Sequence, residues 1–176
     1  MTNQDKTHII NKLTSVHAQR EPFYHIEIDN FFPTELANKL YEEFPSFDSE
    51  LWFDYKNKIE DKKLLSDWRK FPKETYQAFS FLNSNLVLET LSGMTECTLY
   101  SDHGLHGGGW HIHANGGKLN PHLDYSLHPM LKLQRKLNLI VYLCKDWKES
   151  YGGHFGFWTQ DGDKKRAGEL VKEIPM

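Results

Sequence analysis

The residue pattern changes character once along the chain, and that change constrains the fold most. Up to residue 93 apolar residues recur at helical spacing; from residue 94 short apolar runs are separated by glycine turns. Leu36, Leu40 and Phe44 follow one another four residues apart, with Ala37 and Tyr41 beside them, which predicts a helix over residues 34–44. Pro33 stands where a helix can begin without losing a hydrogen bond, and Pro45 ends it. Further helices are expected over 74–82 and 84–92, the second with Ser84 as N-cap and Gly93 as its stop. Residues 1–20 read as a weakly amphipathic helix or a loose arm, residues 24–29 as a short alternating strand. Residues 46–75 read as aromatic, charged loops with a short strand near Trp52.

In the second part, strands are expected at 95–100, 110–114, 137–144, 154–158 and 167–174. Turns are expected at 104–109, at Asn115-Gly116-Gly117 and at Asp161-Gly162-Asp163. The run 137–144 is apolar on both faces apart from Asn138, the pattern of a central strand. Aromatic residues are 14% of the chain, which suits a β-rich core with large inward side chains. Helices first and a glycine-punctuated β part second argue for an α+β fold in one domain over 1–176. Residues 1–93 would be mainly helical, and the sheet of 94–176 would curl into a jelly roll.

Several function classes are disfavoured. The net charge is -3 with no basic arm or stripe, so no nucleic-acid partner is expected. No apolar run approaches the roughly 18 residues that span a bilayer, and the polar first residues lack the apolar middle of a signal peptide. Two cysteines, Cys97 and Cys144, cannot build a disulfide framework, so a reduced cytoplasmic setting is expected.

The chemistry-bearing feature is His122-Leu123-Asp124. With ten histidines in the chain, roughly 0.6 such His-x-Asp pairs arise by accident, so the tripeptide alone is weak. Its physical case is specific. On an extended segment residues i and i+2 point to one face, so an imidazole nitrogen and a carboxylate oxygen can share one metal ion. Two imidazoles and one carboxylate leave three positions open, which suits Fe(II), a bidentate cosubstrate and O2. The competing reading is an ordinary turn with a capping Asp.

The surrounding residues resemble the prolyl-4-hydroxylase-like group of Fe(II)/2-oxoglutarate-dependent oxygenases, from about Tyr24 to Pro175. The best segments are Gly107-Gly108-Gly109-Trp110-His111 and Gly117-Lys118-Leu119-Asn120-Pro121-His122-Leu123-Asp124-Tyr125. They continue through Arg135-Lys136-Leu137-Asn138-Leu139-Ile140-Val141-Tyr142-Leu143, then Asp146-Trp147 and Gly152-Gly153-His154-Phe155-Gly156-Phe157-Trp158. The resemblance implies a double-stranded β-helix holding Fe(II) at His122 and Asp124, with the Tyr142 hydroxyl facing the cosubstrate carboxylate. It implies oxidative decarboxylation of 2-oxoglutarate to succinate and CO2, coupled to hydroxylation of a small-molecule or peptidyl substrate.

Cys144 and Gly156 depart from the family pattern, where Asn and an acidic residue are usual. Glu173-Ile174-Pro175 looks like the segment just before the family's last strands, which carry the second His ligand and the Arg or Lys that anchors 2-oxoglutarate. The expectation is therefore a C-terminally shortened chain, its last core strands missing, that binds Fe(II) weakly. A second copy, or the N-terminal helices, would cover the open sheet edge. Among the other histidines, His128 reads as a loop residue, His154 as a polar residue at the barrel mouth, His111 and His113 as pocket lining, and His103 and His106 as solvated. Trp110, Trp147 and Trp158 read as core or rim packing, Arg135 and Lys136 as a solvated strand edge, and Cys144 as a small buried residue. The alternatives to an oxygenase are a non-catalytic jelly-roll binding module derived from one and, last, a histidine-built zinc site.

Overall fold

The computed structural model describes residues 1–162 and 166–176. Asp163, the third residue of the turn expected at 161–163, lies outside them. The described chain divides into two compact units. One comprises Met1–Ala18, Ile26–Asp54 and Lys63–Ile112; the other comprises Gln19–His25, Tyr55–Lys62 and His113–Met176.

The first unit holds four helices. Helix α1, Asn3–Ser15, opens with a capping box: the Asp5 N–H donates to the Thr2 hydroxyl at 3.2 Å, and the Thr2 N–H donates to the Asp5 carboxylate at 2.6 Å. Its apolar stripe buries Ile9 and Leu13. Helix α2, Thr34–Glu43, follows Pro33 and buries Leu36 and Leu40, as their spacing predicts. Helix α3, Lys73–Leu82, buries Thr75, Ala78 and Phe81; helix α4, Asn85–Thr95, buries Val87 and Leu91. Helix α4 runs through Gly93 and ends at Glu96, whose φ of 53° is left-handed. Helical backbone therefore occupies the start of the strand expected at 95–100. Ser84 precedes the helix without a side-chain capping bond.

Helix α3 is capped from outside itself. Pro72 offers no side-chain acceptor, and Glu43 at the end of α2 supplies one. Its Oε1 accepts from the Glu74 N–H at 3.0 Å; its Oε2 accepts from the Thr75 N–H at 2.7 Å and the Thr75 hydroxyl at 2.8 Å. Trp110 is core packing, meeting Phe44 and Phe79 edge-on at 5.1 and 5.3 Å.

Strand β1, Phe53–Lys56, turns into β2, Glu60–Leu65, at Asn57, whose side-chain oxygen accepts from the Ile59 and Glu60 N–H groups. The charged sequence of β2 gives no alternating signal; its partners make it a strand. In the first unit Lys63, Leu64 and Leu65 pair antiparallel with Ile112, His111 and Trp110 of β3, Trp110–Ile112. Gly109 leads into β3 at φ 97°, and a Cβ there would lie 2.3 Å from the Leu65 carbonyl oxygen. In the second unit Glu60 and Asp61 pair with Leu119 and Lys118 of β4, Lys118–Leu119.

The second unit ends in an antiparallel pair, β5 (Phe155–Gln160) and β6 (Ala167–Ile174), with register shifts beside Trp158. The strand expected at 24–29 is reduced to one bridge between Gln19 and His25. The His25 ring lies 4.8 Å from that of Phe157, and Lys172 donates to the Gln19 side chain at 3.0 Å.

The architecture is a mixed helix and sheet arrangement with antiparallel strands. The jelly roll is not seen: among the described residues no closed barrel forms. The reason lies in residues 137–144, expected as the central strand, which form no ladder. Leu137, Leu139, Ile140 and Tyr142 stay 37–47% exposed, so the apolar character of both faces goes unused. Cys144, expected to be buried, is exposed. Among the described residues no helix is long and apolar enough to cross a membrane.

Candidate functional site

The His-x-Asp pair lies in the second unit, just beyond β4, and its placement can be followed bond by bond. After the β4 pairing, the Asn120 N–H donates to the Ile59 carbonyl at 2.9 Å, and the Asn120 side chain reaches the Lys58 carbonyl at 3.4 Å. Pro121 then restricts the backbone. The Asn120 carbonyl lies 2.7 Å from His122 Nδ1. A carbonyl only accepts, so Nδ1 carries the proton and donates. In the neutral ring this leaves the lone pair on Nε2, the arrangement that metal-binding histidines use.

His122 Nε2 lies 3.5 Å from Asp124 Oδ1, while Leu123 between them is 75% exposed. The two side chains share one side of the segment, as an i, i+2 spacing requires when extended. Two acceptors facing each other at that distance are reconciled by an imidazolium proton or by a cation. With ligand bonds of about 2.1 Å, two atoms on one ion stand at most about 4.2 Å apart, so this pair can reach a common ion. The donor set, one imidazole and one carboxylate, fits two positions of an Fe(II) site. Among the described residues no group of three or more His, Cys, Asp or Glu is placed to hold a metal.

Asp124 Oδ2 faces the Arg135 guanidinium at 3.3 Å. Arg135 is thus part of the site and not a solvated strand edge. A closed loop brings it there. The Arg135 N–H donates to the Ser126 carbonyl at 2.9 Å, Leu127 bridges Gln134, and the His128 N–H donates to the Leu133 carbonyl at 2.8 Å. His128 is the keystone of that loop: its Nδ1 accepts from the Met130 and Leu131 N–H groups at 3.1 and 2.9 Å, and the residue is 8% exposed. The guanidinium lies over the Tyr125 ring, 4.7 Å from its centroid. Sequence reading missed this partner. The available signal was His128-Pro129, a turn former placed between Asp124 and a cation downstream.

The other sequence candidates fall elsewhere. Tyr142 makes no hydrogen bond to His122 or Asp124 among the described residues. Partial burial, with Cys144 adding a smaller push, raises its hydroxyl above the usual phenol value, so it stays protonated and able to donate. His154 immediately precedes β5 and faces Glu173, its Nδ1 3.4 Å from the carboxylate. The His113 ring nitrogen Nδ1 lies 3.1 Å from the Asp61 carbonyl. His111 sits on β3, opposite Leu64. Trp147 donates to the Gly152 carbonyl at 3.1 Å and meets Tyr151 edge-on, which makes it a loop-packing residue.

Residues 108–174 match the profile of the 2OG-Fe(II) oxygenase superfamily. The matched stretch contains His122, Asp124, Arg135 and Tyr142. The likeness supports an oxygenase function in general terms and goes with the use of Fe(II) and 2-oxoglutarate. Comparison with curated proteins and with solved structures gives no match.

Proposed function

We propose that the chain is an Fe(II)- and 2-oxoglutarate-dependent dioxygenase of the prolyl-4-hydroxylase-like kind, acting on a small-molecule or peptidyl substrate, with a double-stranded β-helix as its working fold. The observation that carries the reading is the approach of His122 Nε2 and Asp124 Oδ1 to 3.5 Å inside the stretch matching the superfamily. Bound there, Fe(II) with 2-oxoglutarate would supply O2 activation and hydroxylation of a C–H bond. The protein's own residues have narrower roles. His122 offers one lone pair, fixed by the bond from Nδ1–H to Asn120. Asp124 offers a carboxylate oxygen. The protonated Tyr142 hydroxyl is available as a donor to the cosubstrate carboxylate.

A second reading is a non-catalytic binding module with the same ancestry. It is favoured by the missing third ligand among the described residues and by the cation already beside Asp124. Mn(II), an oxygen-insensitive stand-in for Fe(II), separates the two. Binding followed by electron paramagnetic resonance is expected for the wild type and lost in Asp124→Ala and His122→Ala. Succinate formation from 2-oxoglutarate with Fe(II) then tests the reaction. Binding that survives both substitutions would remove the assigned pair. Absence of Mn(II) binding by the wild type would favour the module.

A further inference from the structure

The assignment of His122 and Asp124 leaves one question open to the structure: which carboxylate oxygen is offered, and what keeps it there. Asp124 is 45% exposed at its side chain, so packing alone does not fix the carboxylate. Its two oxygens have different neighbours. Oδ1 faces His122 Nε2 at 3.5 Å, and Oδ2 faces Arg135 at 3.3 Å. We propose that Arg135 is a positioning residue for Asp124, holding Oδ2 so that Oδ1 alone is presented to an ion shared with His122. The proposal rests on the reading of His122 and Asp124 as the metal pair.

Three features equip Arg135 for this. Its backbone is anchored by the Ser126 carbonyl and the adjoining Leu127–Gln134 bridge. Its guanidinium is 21% exposed and lies over the Tyr125 ring, the residue next to Asp124. The loop between them is closed by the two N–H groups that His128 Nδ1 accepts. A planar guanidinium on an aromatic face has few orientations, which a lysine ammonium in the same place would not share. A carboxylate with one oxygen so engaged binds a cation through the other; released, it can rotate and chelate through both. The positive charge works against raw affinity for a divalent ion. The arrangement therefore favours coordination geometry at some expense of attraction, and that distinguishes it from a simple surface ion pair.

The test uses Mn(II) and the full chain with [13C]aspartate. The difference infrared spectrum between metal-bound and metal-free protein reports the splitting of the Asp124 carboxylate bands. A wide splitting, marking one-oxygen coordination, is expected for the wild type. Arg135→Gln is expected to narrow the splitting towards the two-oxygen value. It should also tighten Mn(II) binding a few-fold, because a repulsive charge leaves with Arg135 and the released carboxylate can chelate through both oxygens. Arg135→Lys keeps charge and stem, guards against a folding defect and should shift the splitting in the same direction by less. Millimolar guanidinium should restore the wide splitting in Arg135→Ala. Unchanged splitting and affinity in Arg135→Gln and Arg135→Lys, with binding still lost in Asp124→Ala, would overturn the positioning role and leave the metal pair standing. Undiminished binding in Asp124→Ala would overturn the pair itself.

Discussion

Replacing Glu43 by Ala should unfasten the start of α3 from the end of α2. Three donors lose their acceptor: the Glu74 N–H, the Thr75 N–H and the Thr75 hydroxyl, at 3.0, 2.7 and 2.8 Å. Loss of an N-cap costs about 1 kcal/mol. Loss of a negative charge at a helix N-terminus costs about 0.5 kcal/mol. Thr75 is 0% exposed, so its hydroxyl finds no water in exchange, and an orphaned buried hydroxyl costs about 1–2 kcal/mol. The substitution should therefore destabilise by about 2–4 kcal/mol. Glu43→Gln keeps one good acceptor and should cost about half of that. Thr75→Val removes the hydroxyl that would be stranded, so in the double mutant Glu43→Ala should cost about 1 kcal/mol less than it does alone. Urea unfolding followed by far-ultraviolet circular dichroism reads these values as shifts in midpoint at constant slope. A Glu43→Ala midpoint corresponding to less than about 0.5 kcal/mol, at unchanged slope, would refute the capping argument.

Gly109→Ala forces a Cβ to within 2.3 Å of the Leu65 carbonyl oxygen at φ 97°, so a loss of about 2–4 kcal/mol is expected in the same assay. The Asp67 carboxyl, held first by the Arg69 guanidinium and then by the Arg69 N–H, should titrate at about 2 by carbon-detected NMR. Because its pKa is lowered, the stability it contributes is present above the ordinary value of about 3.9 and drains away as pH falls toward about 2; Arg69→Ala should return the midpoint toward about 3.9. A wild-type midpoint near the ordinary value would contradict the pairing. Amides of residues 137–144 should exchange with deuterium far faster than those in the β5–β6 ladder, since they form no strand. Equal protection would mean that the expected central strand pairs after all.

Much of the helical half was legible because periodicity is a local signal. Leu36 and Leu40 announce the buried face of α2, and Pro33 its start. Strands depend on partners that sequence does not name. The charged β2 becomes a strand through its pairs with β3 and β4, while the far more strand-like run 137–144 finds no strand partner among the described residues. The same division holds at the site. Spacing alone placed His122 and Asp124 on one side, where their atoms approach to 3.5 Å. Arg135 escaped notice because a loop closed by backbone bonds and His128 Nδ1, and no periodicity, returns it to Asp124.

The buried apolar side chains, from Ile9 to Trp110, all belong to the first unit; among the described residues the second has none. Its loops rest on short ladders and single hydrogen bonds, so opening them should cost less than melting the helices. An ion held by His122 and Asp124 would then act as a structural ballast as well as a reagent. At a hundredfold excess over its dissociation constant it adds about 2.7 kcal/mol against that opening. Within the second unit, the order of the loops around His122 and Asp124 would then follow the supply of the metal.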